Sequence, residues 1–393
     1  MNIGYICWGH IDTIIPLINY IVKLDNHKVS VYLLFNQKYK SESIINFQNI
    51  EVKNGFLNDE IVRKILGEKV YNIIGSSINV KIFILNSPKP YDIKNFILYY
   101  RLCRRIVEQK FDIINLNGCN IFESIVHFFL RKFPRIHTIH DPAPHSGEGG
   151  KLTHKRLEIL SKIDTDFILH ANKMSKLFQN TFEVPPEKIH TVYYGSLDVY
   201  KIFLSSKTRE NEPIVLFYGR IVKYKGIEYL IEAMKIVKQK VENVKLIIAG
   251  SGSFYFDIED IKVDRSIMII NKYIPNEQLC ELIYKSDIVV CPYIDATQSG
   301  VVLTAFAFDK PVLATNVGGI PEVIKHNYTG FIVPPKDPEA LANSLIYYFS
   351  NPLLKNIMKE NIQKIKIFGE LSWNSIAEKT LQIYRNKIES IKK

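Results

Sequence analysis

Residues 291–335 read CPYIDATQSGVVLTAFAFDKPVLATNVGGIPEVIKHNYTGFIVPP, and this stretch decides the fold. An apolar strand ends near Cys291, and a polar turn follows it. Ser299 can cap a helix over residues 301–308, because a side-chain oxygen at that position accepts from a free backbone N–H group. The first part of the stretch therefore predicts a strand, a loop and a helix.

The second part of the stretch repeats this pattern. A strand is predicted at residues 312–315, and a Gly318-Gly319 loop leads into a helix with Pro321 in its first turn, where proline is tolerated. Two loops that join strand ends to helix N-termini form an anion site at the edge of an open parallel sheet. We expect a nucleotide diphosphate there. The two glycines either bring the backbone close to that ligand or only form the turn.

The rest of the chain extends this alternation of strands and helices. A polar segment at residues 196–213 interrupts it and indicates a boundary between two domains. The predicted fold class is α/β, with two doubly wound Rossmann-like domains that face each other across a cleft. We expect a first domain at residues 1–200, a second at 201–370 and a last helix at 371–393. Candidate strands lie at residues 3–7, 29–35, 80–85, 111–116, 135–140 and 167–170, then at 213–218, 245–249, 267–270 and 288–291.

The composition is that of a globular protein with a basic surface. The chain has 393 residues, of which 47% are hydrophobic and 23% charged, and its formal net charge is +11. Such a surface attracts anions. Because the lysines are spread along the chain, phosphorylated small molecules are favoured over nucleic acid, and we expect no nucleic-acid partner.

The sequence carries no obvious export or membrane signal. No apolar run approaches the ~18 residues that a membrane-spanning helix needs. The start, MNIGYICWGH, enters a strand without a basic segment, so we expect no signal peptide and a cytoplasmic protein. The five cysteines form no Cys-x-x-Cys pair, which indicates reduced, buried thiols.

Four blocks of sequence resemble one enzyme family. They are FYGRIVKYKGIEYLIEA at residues 217–233, LIIAGSG at 246–252, the stretch at 291–335 and LSWNSIAEKTLQIY at 371–384. In this order they are similar to the C-terminal half of GT-B glycosyltransferases, most of all retaining family 4, also called glycosyltransferase group 1. The first half of the chain resembles the family in its overall pattern and in TIHD at residues 138–141.

The resemblance implies an enzyme that moves a sugar, of hexosyl type, from a nucleotide-diphosphate sugar to a glycan or lipid-linked acceptor. It further implies retention of configuration, no metal cofactor, and a last helix that returns to the N-terminal domain. The N-terminal domain would bind the acceptor and the C-terminal domain the donor. We expect a role in bacterial cell-surface polysaccharide or lipopolysaccharide biosynthesis.

Arg220 and Lys225 flank the end of a predicted strand and the start of a helix. Sugar transfer expels a diphosphate, so the site must stabilise negative charge on the leaving oxygen. Arginine and lysine are the side chains that commonly bind phosphates. The resemblance assigns both to the diphosphate. Ser299 and Gly300 would join them through the start of the following helix. Two solvated cations and a plain helix cap are the structural alternatives.

The donor side departs from the family at one place. The family has two glutamates separated by seven residues, and their positions hold Ala296 and Thr304 here. Asp295 could reach the sugar with a shorter side chain, or it is a solvated loop residue. The sequence ATQSG resembles a variant within the family and indicates a subclass. The residues expected at the donor sugar and nucleotide are Gln298, Thr304, Tyr273, Ile274 and Glu322, the last of which could equally be structural.

His140 ends a predicted strand, and a Gly/Pro-rich loop follows it. A residue at the carboxyl end of such a strand faces the ligand crevice. In the family a matching histidine lies near the donor sugar as an electrostatic and orienting group. We therefore expect His140 to be catalytic together with Asp295. The residues expected on the acceptor side are Gly9, His10, Asp141 and His145.

Two groups of residues raise the question of a metal ion. Asp164-Thr165-Asp166 matches a metal motif of the other glycosyltransferase fold, but it leads directly into an apolar strand. In the second group, His137 and His140 would point to opposite faces of a strand. We interpret both as metal-free. The second group consists of His137, His140, Asp141, His145 and Glu148.

Two segments mix aromatic and arginine side chains, as interfacial helices do. They are FILYYRLCRR at residues 96–105 and FFLRKFPR at residues 128–135. Peripheral contact with the inner face of the plasma membrane would suit a lipid-linked acceptor. An ordinary amphipathic helix with a solvated basic face is the alternative.

The missing glutamate pair leaves a second function open. The chain could be a catalytically silent GT-B subunit that binds nucleotide sugar or scaffolds a partner enzyme. Arg220 and Lys225 favour the enzyme, because a scaffold has no need of diphosphate ligands.

Overall fold

The computed structural model describes residues 1–38, 41–42, 44–47, 50–89, 92–118, 123–142, 151–205 and 212–392. These residues form two compact units, each with its own main sheet. Within the described ranges, the first unit comprises residues up to 194 together with 373–392, and the second comprises residues 195–372. Each unit is described by itself below.

The strands of the first unit precede those of the second along the chain. In the first unit they are β1 (Asn2–Trp8), β2 (Lys28–Asn36), β3 (Ser41–Glu42), β4 (Ile45–Asn46), β5 (Gly55–Phe56), β6 (Ile78–Leu85), β7 (Ile113–Gly118), β8 (Arg135–Thr138), β9 (Asp166–Leu169) and β10 (Ile189–Thr191). In the second they are β11 (Ile214–Tyr218), β12 (Lys245–Gly250), β13 (Ile267–Asn271), β14 (Ile288–Cys291), β15 (Val312–Thr315) and β16 (Gly330–Val333).

Helices alternate with the strands. They are α1 (Ile11–Leu24), α2 (Asp59–Ile73), α3 (Ile93–Val107), α4 (Glu123–Phe129), α5 (Lys151–Ser161), α6 (Asn172–Phe182), α7 (Ile227–Val237), α8 (Glu259–Lys262), α9 (Asn276–Lys285), α10 (Gly300–Ala307), α11 (Ile320–Val323), α12 (Pro338–Phe349), α13 (Pro352–Ile367) and α14 (Trp373–Lys392).

The main sheet of the first unit has the order β10-β9-β8-β7-β1-β2-β6-β5. Neighbouring strands pair in parallel, except that β5 is antiparallel to β6. The short strands β3 and β4 form a separate antiparallel pair. One apolar cluster of this unit contains Phe83 and Leu116 from the sheet and Leu98, Tyr99 and Leu102 from α3.

The sheet of the second unit is parallel, with the order β13-β12-β11-β14-β15-β16. In β11, IVLFY, every residue is buried. Such continuous apolar strands are expected where helices cover both faces of a parallel sheet. The chain leaves β11 toward β12 and β13 on one side and returns to β14 on the other, so the order of the strands reverses between β11 and β14.

The prediction of two Rossmann-like α/β domains is confirmed by these two parallel sheets. The last helix, α14, belongs to the first unit. The Tyr384 hydroxyl on α14 accepts from Asn115 Nδ2 at 2.8 Å and donates to Tyr5 Oη at 2.9 Å. Lys387 Nζ donates to Asp166 Oδ1 at 2.6 Å. These contacts fix α14 to β1, β7 and β9.

Some elements differ from those predicted. Strand β8 ends at Thr138 rather than at residue 140, because His140 already belongs to the loop after the strand. Helix α11 has only four residues, since the chain is extended again at Ile324. The strands absent from the prediction are β3, β4, β5 and β10.

Two further observations concern the whole described chain. Every helix within it is too short or too polar to cross a bilayer. Cys7, Cys103, Cys280 and Cys291 are buried and form no disulfide with a described residue. Cys119 lies outside the described residues.

Candidate functional site

The candidate donor site lies at the carboxyl edge of the second sheet, between β11 and β14. In doubly wound folds a ligand binds where the strand order reverses, because the loops on the two sides diverge and leave a crevice. The loop after β11 carries Arg220 and Lys225, and the loop after β14 carries Asp295, Gln298 and Ser299. The strand order thus brings the predicted diphosphate residues to one place.

A backbone contact joins these two loops. Ile294 N donates to the carbonyl oxygen of Tyr224 at 2.8 Å. Gly226 has φ 63° and precedes α7, and a Cβ atom at this position would overlap the carbonyl oxygen of Pro292. Only glycine combines this left-handed conformation with such a close approach. Gly226 therefore allows the loop that carries Lys225 to pack against the loop after β14.

Two tyrosines hold the predicted cations. The Lys225 ammonium lies 3.6 Å from the ring centroid of Tyr293 and 5.3 Å from that of Tyr224. Arg220 is exposed, and its Nη2 donates to the Tyr224 hydroxyl at 2.7 Å. Burial raises the pKa of Tyr293 well above its usual value, so its ring is a neutral phenol. Cations are attracted to the faces of neutral aromatic rings, so these contacts hold Lys225 and Arg220 in place.

Helix α10 begins beside these cations. Ser299 is its N-cap residue, but its side chain makes no capping hydrogen bond, and its Oγ lies 3.5 Å from Tyr293 Oη. Gly300 is exposed at the first helical position, and Gln298 is half-buried in front of it. The first amides of a helix carry partial positive charge and attract anions. Thus Ser299 lies at the predicted cap position, while its hydroxyl faces the tyrosine that holds Lys225.

The loop after β15 packs against the loop after β14. Gly318 has φ 55°, and a Cβ atom there would overlap the carbonyl oxygen of Ala296. Gly319 N donates to the carbonyl oxygen of Thr297 at 2.8 Å. Glu322 is half-buried in the single turn of α11. Gly318 and Gly319 thus allow the two loops to pack closely against each other. The second anion-binding helix that the sequence predicts is reduced to one turn.

Ala296 and Thr304, the two positions at which the resemblance leads us to expect glutamates, differ in their surroundings. Ala296 is buried, and its carbonyl oxygen faces Gly318. Thr304 is also buried, and its hydroxyl donates to the carbonyl oxygen of Gly300 at 2.8 Å in the preceding turn. Asp295 is half-buried in the loop after β14, directly before Ala296. In the described geometry Asp295 is the only carboxylate between residues 291 and 304.

Tyr273 and Ile274 lie after β13, at the outer edge of the same sheet. Tyr273 is exposed, and Ile274 is half-buried. Strands β12 and β13 separate them from the cations that follow β11. They therefore lie on the carboxyl edge of the sheet, and their contact with a nucleotide base stays a prediction.

A stack of histidine and tyrosine rings occupies the carboxyl edge of the first sheet. The rings of His10 and His140 are parallel, with centroids 3.5 Å apart, and those of His170 and Tyr194 are 3.6 Å apart. His10 follows β1, His140 follows β8 and His170 follows β9, so three strand ends contribute to it. The predicted residues His10 and His140 are thus in direct contact, and Gly9 precedes them with φ 100°.

Both ring nitrogens of His140 have hydrogen-bond partners. Nε2 lies 2.8 Å from Asn117 Oδ1, and Nδ1 lies 2.6 Å from the Tyr194 hydroxyl. With these partners Nε2 carries the proton and Nδ1 accepts from the tyrosine. Burial lowers the pKa of His140 well below its usual value, and His10 and His170 lower it further. The ring is therefore neutral and fixed in orientation, which suits an orienting role better than proton transfer.

The remaining acceptor-side predictions divide into two groups. Asp141 is exposed next to His140, at the same edge of the sheet. His145 and Glu148 lie outside the described residues.

The described aspartates of the first candidate metal group, and His137 of the second, make other contacts. Asp164 pairs with Lys188, and Asp166 pairs with His190 and Lys387, so this motif is engaged by cations at the start of β9. His137 is buried and pairs with His127 at 3.0 Å, apart from His140. Among the described residues, no group of three or more His, Cys, Asp or Glu side chains has the arrangement of a metal site.

Sequence reasoning missed several residues of both sites. Tyr224 and Tyr293 hold the cations, and Asn117, His170 and Tyr194 hold His140. His170 could have been found, because it follows a predicted strand as His140 does. Tyr293 and Tyr194 have no such signal, since each contacts a partner that is distant in sequence.

Comparison with known proteins identifies the relatives of this chain. Residues 199–365 match the family model described as Glycosyl transferases group 1. An uncharacterized glycosyltransferase of Methanocaldococcus jannaschii is 28% identical over 248 residues, which cover 59% of this chain and 63% of the relative. An amylovoran biosynthesis glycosyltransferase of Erwinia amylovora is 27% identical over 186 residues, which cover 44% of this chain and 46% of the relative. The chain thus spans less than two thirds of the length of these curated relatives.

Solved structures extend the likeness to the whole fold. The Anabaena protein HepE, solved in complex with UDP and glucose, matches 98% of this chain and 100% of its own, with a TM-score of 0.65 and 17% identity. At this identity the likeness concerns the fold alone. The chain has the GT-B fold, and its residues 199–365 are similar to the glycosyltransferase group 1 family.

Proposed function

We propose that this chain is a glycosyltransferase that moves a sugar from a nucleotide-diphosphate sugar to a glycan or lipid-linked acceptor. The observation that carries this proposal is the meeting of Lys225, Arg220 and the start of α10 where the strand order of the second sheet reverses. The match of residues 199–365 to the group 1 family supports it, as does the UDP bound by the structural neighbour HepE.

The proposed chemistry begins at the bond between the anomeric carbon and the diphosphate oxygen. When this bond breaks, its electron pair stays with the oxygen and the sugar becomes oxocarbenium-like. Lys225 provides a compact positive charge near the leaving oxygen, and Arg220 provides a planar guanidinium group. The first amides of α10 are further hydrogen-bond donors to this oxygen. Because these groups are already held by tyrosines and by the helix, little reorganisation is needed at the moment of transfer.

The other predicted residues receive roles around this centre. Asp295 and Gln298 contact the donor sugar, while Tyr273 and Ile274 contact the base. Thr304 and Glu322 complete the nucleotide side, and Ser299 and Gly300 bind the diphosphate. On the first unit, His140 orients the reacting groups and the acceptor binds near Gly9, His10, Asp141 and His145.

Several finer features rest on resemblance to retaining family 4 alone. They are the retention of configuration, the hexosyl type of the sugar, the independence of a metal ion and membership of a subclass marked by ATQSG. The amylovoran relative supports a role in cell-surface polysaccharide biosynthesis. We place the protein in the cytoplasm, with peripheral contact at the inner face of the plasma membrane.

A second candidate function is a catalytically silent subunit of the same fold. Ala296 and Thr304 favour it, because both are buried and neither offers the carboxylate that the family uses at its position. Such a subunit would bind nucleotide sugar without turning it over, or scaffold a partner enzyme.

Incubation with UDP- and GDP-sugars distinguishes the two functions. Binding of a ligand to the folded state raises its apparent stability, so a thermal-shift screen first identifies the nucleotide. Slow release of the free nucleoside diphosphate then supports the transferase. We expect this release to be absent in Arg220→Ala. Tight binding without release supports the silent subunit, and absence of binding to every donor contradicts the transferase and a silent subunit that binds nucleotide sugar.

A further inference from the structure

Helix α3 has apolar residues on two faces. One face is buried against the sheet and contains Leu98, Tyr99, Leu102, Cys103 and Ile106. A second set faces solvent at the spacing i, i+3, i+4 and i+7, which places its members on one side of a helix. The exposed fractions in this set are 76% for Ile93, 50% for Phe96, 49% for Ile97 and 50% for Tyr100.

Helix α4 continues this exposed surface. Phe128 is 61% exposed, and its ring centroid lies 5.7 Å from that of Phe129. The Phe129 ring in turn lies 6.3 Å from Phe96 and 5.7 Å from Tyr100. The aromatic rings of the two helices therefore form one continuous surface. We call it the α3–α4 patch, and it comprises Ile93, Phe96, Ile97, Tyr100, Phe128 and Phe129.

Cations border this patch. Arg131 lies over the Phe128 ring with its guanidinium carbon 4.6 Å from the centroid. Glu108, just beyond α3, pairs with Arg105 at 3.1 Å and approaches Arg104 at 3.9 Å. Asp92 and Glu123 lie at the starts of the two helices, and residues 93–107 and 125–135 contain no acidic side chain, so the cations outnumber the acids here. The exposed cations are Lys94, Arg101, Arg104, Arg105, Arg131 and Lys132.

We propose that the α3–α4 patch docks the first unit onto an anionic lipid bilayer. Apolar and aromatic side chains beside a row of lysines and arginines fit the boundary between acyl chains and anionic headgroups. A partner protein is less well matched, because charged residues are depleted from the centre of protein interfaces. The patch follows the first half of α3, from Ile93 to Tyr100, so this part of the helix lies in the plane of the surface. This inference rests on the proposed function in one respect, the choice of a membrane-linked acceptor.

The patch also has a defined relation to the acceptor side. Helix α3 starts after the carboxyl end of β6, in the same unit and at the same edge of the sheet as His10 and His140. A bilayer against Ile93 and Phe96 therefore lies toward the edge at which an acceptor would bind. A lipid-linked acceptor would reach that edge without leaving the membrane.

Co-sedimentation of the full chain with lipid vesicles tests the proposal. We expect binding to vesicles that contain phosphatidylglycerol and little binding to pure phosphatidylcholine vesicles. The double variant Phe96→Gln/Ile97→Gln should reduce the partition coefficient at least about tenfold, because it removes buried acyl contacts. Arg101→Gln should reduce it about fivefold, and added salt should weaken binding of the wild type.

A matched control comes from another exposed apolar pair. Leu353 and Ile357 on α13 are 77% and 50% exposed, and Leu353→Gln/Ile357→Gln should bind vesicles like the wild type. Equal loss in both double variants, or no binding of the wild type to anionic vesicles at low salt, overturns the proposal. The proposal is also overturned if the wild type does not bind vesicles but forms a dimer, and the Phe96→Gln/Ile97→Gln variant is monomeric. Release of nucleoside diphosphate from a soluble donor is measured separately, so failure of sugar transfer is distinguishable from failure of docking.

Discussion

The ammonium group of Lys225 lies 3.6 Å from the ring centroid of Tyr293. The lysine follows β11 and the tyrosine follows β14, so the contact spans the place where the strand order of the second sheet reverses. Tyr293 is fully buried and cannot move away. A cation–π contact of this kind contributes about 0.5–2 kcal/mol. The positive charge is therefore in position before an anion binds.

From this relationship we expect large kinetic losses when either cation is removed. Lys225→Met and Arg220→Ala should each lower kcat for transfer or donor hydrolysis by about 10²–10³-fold, the usual cost of one preorganised group that stabilises developing charge. Steady-state kinetics with the donor identified by thermal shift provide the measurement. The melting temperature should change little in Arg220→Ala, because the side chain is exposed.

Lys223 provides the matched control for these variants. It lies in the same short turn as Lys225, is exposed and carries the same charge. Lys223→Met should retain most of the activity. If it is as inactive as Lys225→Met, the loss reflects the general charge of the loop, and the specific role of Lys225 is wrong.

The close approach at Gly226 leads to a prediction about stability. Gly226→Ala should lower the free energy of unfolding by at least about 2 kcal/mol, since the residue has φ 63° and its Cβ would overlap the Pro292 carbonyl oxygen. Gly300→Ala is the control for stability, because a Cβ atom there meets open space. Urea unfolding of both variants gives the comparison. Equal stability of the two would contradict a tight junction between the loops after β11 and β14.

Much of the second sheet could be predicted because its strands are continuous apolar runs. The bounds of β14 and β15 coincide with those expected from residues 288–291 and 312–315. Strands that are buried on both faces leave such runs in any sequence. Helix α2 was missed although Val62, Ile65, Leu66 and Val70 are buried at helical spacing, and Gly67 with φ 69° interrupts it.

The candidate site could be predicted only in part. Arg220, Lys225 and the start of α10 follow from local patterns of strand, glycine and helix. The Tyr293 ring could not be assigned to Lys225, because 68 positions separate them and the contact depends on strand order. His140 could be predicted from its position after a strand. The contact between its Nδ1 and the Tyr194 hydroxyl could not, because it requires that β10 ends beside β9 in the sheet.

The charges at the donor site also lead us to expect activity without a divalent metal ion. Lys225, Arg220 and the amides of α10 supply positive charge where a metal would otherwise stabilise the diphosphate. Donor hydrolysis should therefore continue at the same rate with excess EDTA, and added Mg²⁺ should change it less than about threefold. Complete loss with EDTA and recovery with one metal would contradict the metal-free assignment of the site.

Buried histidines should make the stability of the protein fall in mild acid. Burial lowers the pKa of His137 to about 4 and that of His170 to about 3. The unfolded chain binds protons from about pH 6.5 downward, whereas these folded rings do not, so stability is complete above pH 6.5 and decreases below it. At pH 5 each of these two histidines should lower the free energy of unfolding by about 2 kcal/mol.

Guanidinium unfolding at pH 7.5 and pH 5 measures this loss. The interval lies above the range in which most carboxylates titrate, so histidines dominate it. NMR of the ring carbons gives an independent observation, because the signals of His137 and His170 should not move between these pH values. Titration of either ring in this interval, or equal stability at both pH values, is incompatible with the predicted loss.

Helix α14 leads to a prediction about the first unit. The Tyr384 hydroxyl joins Asn115 on β7 at 2.8 Å and Tyr5 on β1 at 2.9 Å, and all three side chains are buried. Tyr384→Phe leaves two buried polar groups without this partner and should lower the free energy of unfolding by about 1–3 kcal/mol. Tyr347→Phe, at a tyrosine that is 52% exposed on α12, removes the same atom and should change stability by less than about 0.5 kcal/mol. Urea unfolding followed by hydrogen exchange at β1 and β7 measures the effect. If exchange at these strands is equal in the two variants, α14 does not stabilise the first sheet through Tyr384.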